Sequence, residues 1–442
     1  MTRLWLEPDS GHAQVITSST SSTPPSGPGA RRIPALTMVV LYVGALGAFV
    51  GIVALRGGPS LGDAYAVTQP ATAVADGQLT EAAQKSVLPQ PPGYALLSSP
   101  FVLALRPLIG SPTWCDGRVG PVTRVFLKQC APDQLATHRW YRSQAVLGIL
   151  AWVVLAFGAV RLLRAAGAGG GAAEILLVTV LVAMPAASDG LVETFHPQDL
   201  VCVGLACAGL AEALHRRWAL TGVAFAVAFL CKQFALLPLV AVLVAVPGWR
   251  ERARVVVPFA VVVGCAVLPF AVVDPTGTWR TLSATNSGGV TKLTTGTLLG
   301  MTSLAESTKL LVARDGPVVL ALAMALWARW RAGDRLLSPV PLVGLATACC
   351  AGRLVAEVWF ASYYLLAVSV GLVLLDLAAK RLPVLSFAWI ALTGVMVEQA
   401  GGLPTTELAA LLAFVAAVGA VVIGLRAVPA RGGALPAAVM AA

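Results

Sequence analysis

At 442 residues, 57% hydrophobic and 12% charged, with a mean hydropathy of +0.80, the chain has too little polar surface for a water-soluble globule of its size. Its net charge of +10 would point to nucleic acid in a soluble protein. Here, however, Arg and Lys stand in short clusters between apolar runs, a topology pattern that gives no ground for a nucleic-acid partner. The expectation is an all-α polytopic protein of the lipid bilayer.

Residues 1–34, with "ITSSTSSTPPSGPGARR", read as a disordered cytoplasmic tail. The first apolar run begins near Ala35 and is long enough to stay as a span, so no cleavable signal peptide is expected. Basic clusters follow at Arg31/Arg32, Arg161/Arg164, Arg216/Arg217, Arg250/Arg252/Arg254, Arg329/Arg331/Arg335, Lys380/Arg381 and Arg426/Arg431. Cytoplasmic loops carry the excess of Lys and Arg, and a helix needs about 20 residues to cross the hydrocarbon. One outward and one inward helix between successive clusters gives about twelve spans with both termini inside.

In chain order the expected spans are Ala35 to Leu55, Ala145 to Leu163, Ala173 to Ala187, Leu200 to Leu214, Ala219 to Cys231 and Phe234 to Val246. Then come Val255 to Val273, Pro317 to Trp327, Leu342 to Ala351, Tyr364 to Leu375, Val384 to Val397 and Leu408 to Leu425. Residues 35–426 would form one transmembrane domain and 427–442 a cytoplasmic tail. The first extracytoplasmic loop would run over 56–142 and the second large one over 274–316. Counting "PPGYALLSSPFVLALRPLIG" as a further span would invert every later loop. It reads instead as a juxtamembrane or re-entrant helix started by Pro91 and Pro92 and interrupted at Arg106 and Pro107.

Several residues of the expected outer face could carry chemistry, each beside a plainer reading. Asp63, just past the first span, can take a proton from an attacking hydroxyl if it is held in a partly enclosed cleft, or can be a solvated interfacial acid. Tyr65 and "AVTQPATAVADGQL" fit a helix along the interface, with "PPGYALL", including Tyr94, folding back over it. His196, between Glu193 and Asp199, could bind a divalent metal, orient an acceptor or satisfy a turn. Lys232, beside Gln233, could hold a phosphate or snorkel to the interface. Arg353 could contact substrate or pair with Glu357 at i, i+4. Trp359, Tyr363 and Tyr364 suit sugar or prenyl contact, but also an aromatic belt.

Cys202, Cys207, Cys231, Cys265, Cys349 and Cys350 lie in apolar runs and are expected to pack inertly. Cys115 and Cys130 fall in the outer loop, where an oxidising compartment favours a disulfide worth on the order of 3 kcal/mol over two free thiols. No metal site or cofactor is expected. The glycine run at 167–172 follows Arg164 without a preceding strand and reads as a flexible hinge, not a phosphate loop. No D-x-D, G-x-S-x-G, H-E-x-x-H or P-loop pattern occurs.

"GDAYAVTQPATAVADGQL", "QPPGYALLSSPFVLAL" and the following Arg142 resemble the first loop of the GT-C membrane glycosyltransferases, nearest to the bacterial polyprenyl-phosphate-dependent mannosyltransferases. "HPQDLVCVGLACAGLAEALHRRWALTGVAFAVAFLCKQFALLPL" looks like that family's middle section, and the likeness covers most of 56–246. The resemblance implies transfer of a sugar, mannose first, from a polyprenyl-phosphate donor to a glycolipid or glycan hydroxyl. The reaction would run on the extracytoplasmic side of the inner (plasma) membrane with inversion, Asp63 acting as base. A secondary transporter or lipid-linked-sugar flippase is the rival reading, and a non-catalytic scaffold a third.

Overall fold

A computed structural model describes residues 35–55, 61–84, 91–109, 144–192, 195–283, 305–356, 362–398 and 405–427. The expected tails, apart from Ala427, and Cys115, Cys130, Glu193, Glu357 and Trp359 lie outside the described residues. Every regular element among them is helical.

The order begins with α1 (Ala35–Leu55), α2 (Leu61–Ala75), α3 (Leu79–Gln84), α4 (Gly93–Ile109), α5 (Ala145–Ala165), α6 (Ala172–Ala183) and α7 (Pro185–Val192). It continues through α8 (Pro197–Leu214), α9 (Trp218–Cys231), a 3₁₀ turn (Gln233–Ala235), α10 (Leu236–Ala245), α11 (Trp249–Val273) and α12 (Pro275–Ser283). It ends with α13 (Glu306–Ala332), a 3₁₀ turn (Gly333–Leu337), α14 (Pro339–Ala356), a 3₁₀ turn (Ser362–Leu365), α15 (Leu366–Ala378), α16 (Val384–Glu398) and α17 (Thr405–Arg426). Four of these, α1, α5, α8 and α11, are long and apolar enough to cross a membrane; a fifth span results if α6 and α7 count as one helix bent by 41°.

The apolar surface explains why a membrane is needed. The windows of α1 and α11 reach hydropathies of 2.5 and 2.6, yet only 11% of each is buried within the protein. Leu36, Val43, Val257, Leu268 and Val272 stand exposed on them, a face that water would penalise and lipid accommodates. Inside the bundle, where lipid gives no hydrophobic drive between helices, small residues let the backbones approach. Gly158 of α5 lies against the backbone of Gly204 of α8 so closely that neither position has room for a Cβ. Gly204→Ala would bring a methyl to 2.5 Å from the Val154 carbonyl and 2.7 Å from Leu155 Cα. Forcing this contact apart is expected to cost about 1–3 kcal/mol. Gly264→Ala on exposed α11 meets nothing within 4 Å and should leave the thermal midpoint unchanged or slightly raised, since Ala is the better helix former, a contrast readable by thermal unfolding in detergent.

Ion pairs fix one end of the bundle. Arg161 of α5 pairs with Glu212 of α8, and Arg217 approaches the same carboxylate at 3.6 Å. Arg164 binds Glu174 through two hydrogen bonds of 2.8 and 2.7 Å, and Tyr42 of α1 donates to that carboxylate at 2.5 Å. Arg329 donates to the Ala245 carbonyl at 3.2 Å, where α10 ends. Three helices stop at this end by the same capping geometry, in which a residue with positive φ (Gly167, Arg216, Lys380) lets the next N–H reach back five residues. The basic clusters on described residues therefore gather at one end, which leaves His196, Lys232 and Arg353 at the other.

Several expectations need correction. The helix expected over Pro317 to Trp327 is α13, which starts at Glu306 and runs through Pro317 to Ala332, and residues 275–283 within the expected 274–316 loop form α12. Arg106 and Pro107 do not interrupt α4, which reaches Ile109, with Arg106 paired to Asp76 at 2.6 Å. A proline in a helix removes one N–H, a loss that neighbouring helices can absorb. The span expected over Ala173 to Ala187 breaks at Met184, whose backbone is extended. Residues 167–172 form a defined turn, in which Gly167, Gly170 and Gly171 have positive φ and the Gly170 N–H donates to Glu174 at 3.0 Å. Cys265 is exposed, whereas Cys202, Cys207, Cys231 and Cys349 are buried as expected.

Candidate functional site

The candidate site is assembled by a helical hairpin. α8 starts at Pro197, whose fixed φ suits the first helical position, and α9 returns beside it after the turn at Arg216. α9 stops at Cys231 because Lys232 is fully extended (φ −158°, ψ 132°) before the 3₁₀ turn begins. The open end of the hairpin thus brings Lys232 Nζ to 3.2 Å from Asp199 Oδ2. His196 Nδ1 lies 3.5 Å from the same oxygen and 2.8 Å from Gln198 Nε2. Asp199 also benefits from its place in the first turn of α8, where the helix dipole favours a negative charge.

The backbone entering this turn is strained. Phe195 has φ 39°, a region disfavoured for a bulky residue, and it is buried among Val67, Ala71, Tyr94, Val102, Cys202 and Cys231. That packing holds His196 in place, with its N–H donating to the Gly190 carbonyl at 2.5 Å.

The far part of the sequence supplies the lid of the cluster. Tyr363 stacks on His196 with ring centroids 4.0 Å apart and planes at 16°, and Lys232 Nζ sits 5.5 Å from the same ring centre. Tyr364 meets Tyr363 edge-on at 4.6 Å, and the Arg353 guanidinium, in the last turn of α14, lies 4.8 Å from the Tyr364 ring and 5.2 Å from Phe234. Buried α7 packs against Tyr363 through Gly190 and brings the carboxylate of Asp189 to this end.

Electrostatics hold the cluster more than hydrogen bonds do. Asp199 is 1% exposed, yet among the described residues neither carboxylate oxygen closes a hydrogen bond of good geometry, and Gln198 Oε1 is likewise buried without one. Buried polar groups in this condition are costly unless a further partner arrives. Lys232, 18% exposed, is the cation through which the cluster reaches the surface.

Beside the cluster lies a mainly apolar slot. Phe234, against which the Arg353 guanidinium packs at 5.2 Å, lines it with Cys350 and Ala367, and Leu162, Leu210 and Leu374 continue the lining toward the arginine end. From Ala367 to Leu374 the slot follows α15 for roughly 10 Å at 1.5 Å per residue.

The sequence-derived candidates divide accordingly. His196, Lys232 and Arg353 come together. Gln233 does not join them: its amide donates to the carbonyls of Thr281 and Leu282 at 3.3 and 2.7 Å, tying α12 to the Lys232 turn. Tyr94 sits apart from the cluster in a hollow with Val67, Pro92, Phe270, Thr278 and Leu282. Burial, with Cys231 nearby, pushes its phenol well above the ordinary tyrosine range, so it stays a donor at physiological pH. Asp63 and Tyr65 lie in the first turn and a half of α2, one turn before Val67 in the case of Asp63; their side chains are outside the described parts of the structure. Among the described residues no group of three or more His, Cys, Asp or Glu side chains could hold a metal ion.

Sequence reading missed Gln198; it named Asp199 only as a neighbour of His196 and Tyr363 only as a sugar or prenyl contact, and so missed the pairing of Asp199 with Lys232 and the stacking of Tyr363 on His196. Asp199 had a signal. It lies 17 residues before Arg216 and Lys232 lies 16 after it, the near-equal spacing that an antiparallel hairpin converts into contact. No family model, curated protein or solved structure matches the chain.

Proposed function

We propose that this chain is a multi-pass glycosyltransferase of the inner (plasma) membrane that moves a sugar, mannose first, from a polyprenyl-phosphate donor to a glycolipid or glycan hydroxyl. One observation carries the reading: two cations, Lys232 and Arg353, stand with Tyr363 and Tyr364 beside an apolar slot, at the end of the bundle away from the basic clusters. An anionic head on a long apolar chain has a use for both parts. The head would exchange contacts with Lys232 and Arg353, and the first part of the chain would fill the slot. By the positive-inside rule the arginine end faces the cytoplasm and this site faces out; the twelve-span arrangement belongs to the same proposal.

In the proposed reaction the acceptor oxygen attacks the anomeric carbon as its proton passes to Asp63. The bond from that carbon to the phosphate oxygen breaks, and the polyprenyl phosphate leaves with the electron pair. Inversion follows from attack opposite the leaving group. Lys232 and Arg353 oppose the charge that grows on the phosphate.

A secondary transporter is the second reading, favoured by the helix breaks at Met184 and Lys232 beside a buried ion pair. Full-length protein in liposomes, given radiolabelled polyprenyl-phosphate mannose and octyl α-D-mannopyranoside, separates the two. Labelled disaccharide product, suppressed by excess farnesyl phosphate, is expected. Label that crosses the bilayer with no new glycosidic bond would establish the transporter instead.

A further inference from the structure

We propose that the hollow bounded by α2, α4, α11 and α12 is a binding site for a neutral sugar ring, the headgroup that presents the acceptor hydroxyl. Two side chains lining it carry the assignment. Tyr94 and Thr278 are 6% and 5% exposed, and among the described residues neither Tyr94 Oη nor Thr278 Oγ1 has a hydrogen-bond partner. Hydroxyls buried in this way carry a desolvation penalty that a bound ligand can remove. The neighbouring Thr281 is different, because its hydroxyl already donates to the Gly277 carbonyl at 2.9 Å.

The rest of the wall sets the chemical class. Pro70, Pro91, Pro92 and Phe270 form rigid apolar surface, and no charged side chain stands among the described lining residues. An ion entering here would lose its hydration without gaining a counter-charge. A plain hydrocarbon would fill the space and leave both hydroxyls unpartnered. The edge of a sugar ring, entering from the open side of the hollow, satisfies both demands, with C–H groups on the prolines and phenylalanine and hydroxyls on Tyr94 and Thr278.

The position agrees with the chemistry. Val67 lines the hollow and follows Asp63 by one turn of α2, so the ring would lie against the helix that carries the proposed base. On the other side, Gln233 holds the carbonyls of Thr281 and Leu282, both of which line the hollow, and so couples this wall to the turn bearing Lys232. The name "acceptor" rests on the transferase reading; the affinity for a glycoside does not.

The test is a titration of octyl α-D-mannopyranoside into full-length protein in phosphatidylcholine nanodiscs, with octanol as the control, for wild type, Tyr94→Phe and Thr278→Val. Saturable binding of the glycoside but not of octanol is expected, weakened roughly three- to tenfold by each variant. Without ligand the variants should match the wild-type thermal midpoint or exceed it by about 2 °C, because each removes an unpartnered hydroxyl. Unchanged binding in both variants, no saturable binding, or a lowered ligand-free midpoint would overturn the site. Glycoside binding by a protein that transfers nothing from a polyprenyl-phosphate donor would sink the transferase reading and leave the site standing. Transfer at full rate in both variants, without saturable binding, would do the reverse.

Discussion

Asp63→Asn is expected to reduce transfer from a polyprenyl-phosphate sugar by a factor of about 10²–10⁴, the usual contribution of a positioned general base. The substitution keeps the shape of the side chain and removes only its capacity to take a proton. Asn is also tolerated near a helix start, so α2 and its packing through Val67 and Ala71 on Phe195, Cys202 and Cys231 should persist. Binding of farnesyl phosphate should therefore match wild type, and the loss should appear in kcat. Other described carboxylates of this part of the molecule already have partners. Asp76 is engaged by Arg106 at 2.6 Å, Asp199 by Lys232 and His196, and Asp274 Oδ1 accepts the Gly277 N–H at 2.9 Å. Rate measurements on membranes with matched protein content decide the matter: turnover within threefold of wild type would remove Asp63 from the mechanism.

The sequence was most informative where one physical rule dominated. Hydrophobic run length and basic punctuation place α1, α5, α9, α16 and α17 within a few residues of their observed limits, because no proline interrupts those runs. It was misleading where tertiary packing absorbs a local defect. Pro317 and Pro107 look like helix boundaries, yet α13 and α4 pass through them; the helix loses one hydrogen bond and keeps the rest. Met184, by contrast, is an unremarkable residue at which the chain bends by 41°, and no local signal marks it apart from the following Pro185, which biases its predecessor toward extended backbone.

The site was legible in pieces. His196, Lys232 and Arg353 each stand out as polar residues at the edges of apolar runs, and their chemical types already pointed to an anion. What joins them is not local. Tyr363 comes from a 3₁₀ turn more than 160 residues after His196, and its stacking depends on α7 meeting that turn through Gly190. Gln233 shows the opposite failure. Its adjacency to Lys232 suggested a shared role, but a 3₁₀ turn rotates it away from the cluster toward α12.

The buried pair offers the second large effect. Asp199→Leu is expected to destabilise the protein by about 3 kcal/mol, since Lys232 and His196 would then face a nearly dry interior without their carboxylate. The lower end of the usual range applies because Lys232 is 18% exposed and can recover some hydration. Lys232→Met alone should cost a similar amount by stranding Asp199, which is 1% exposed and closes no hydrogen bond of its own. In the double variant no stranded charge remains, so most of the lost stability should return, giving a coupling energy of at least about 1.5 kcal/mol in a double-mutant cycle. Function should not return with it. A phosphate held by Lys232 in wild type would meet only a thioether, and farnesyl phosphate affinity should stay low in the refolded double variant. Thermal unfolding and farnesyl phosphate titration on the same samples separate the two roles. Recovery of stability and binding together would make the pair purely structural and leave Arg353 as the cation for the head; additive losses of stability would mean that the 3.2 Å contact contributes nothing to the fold.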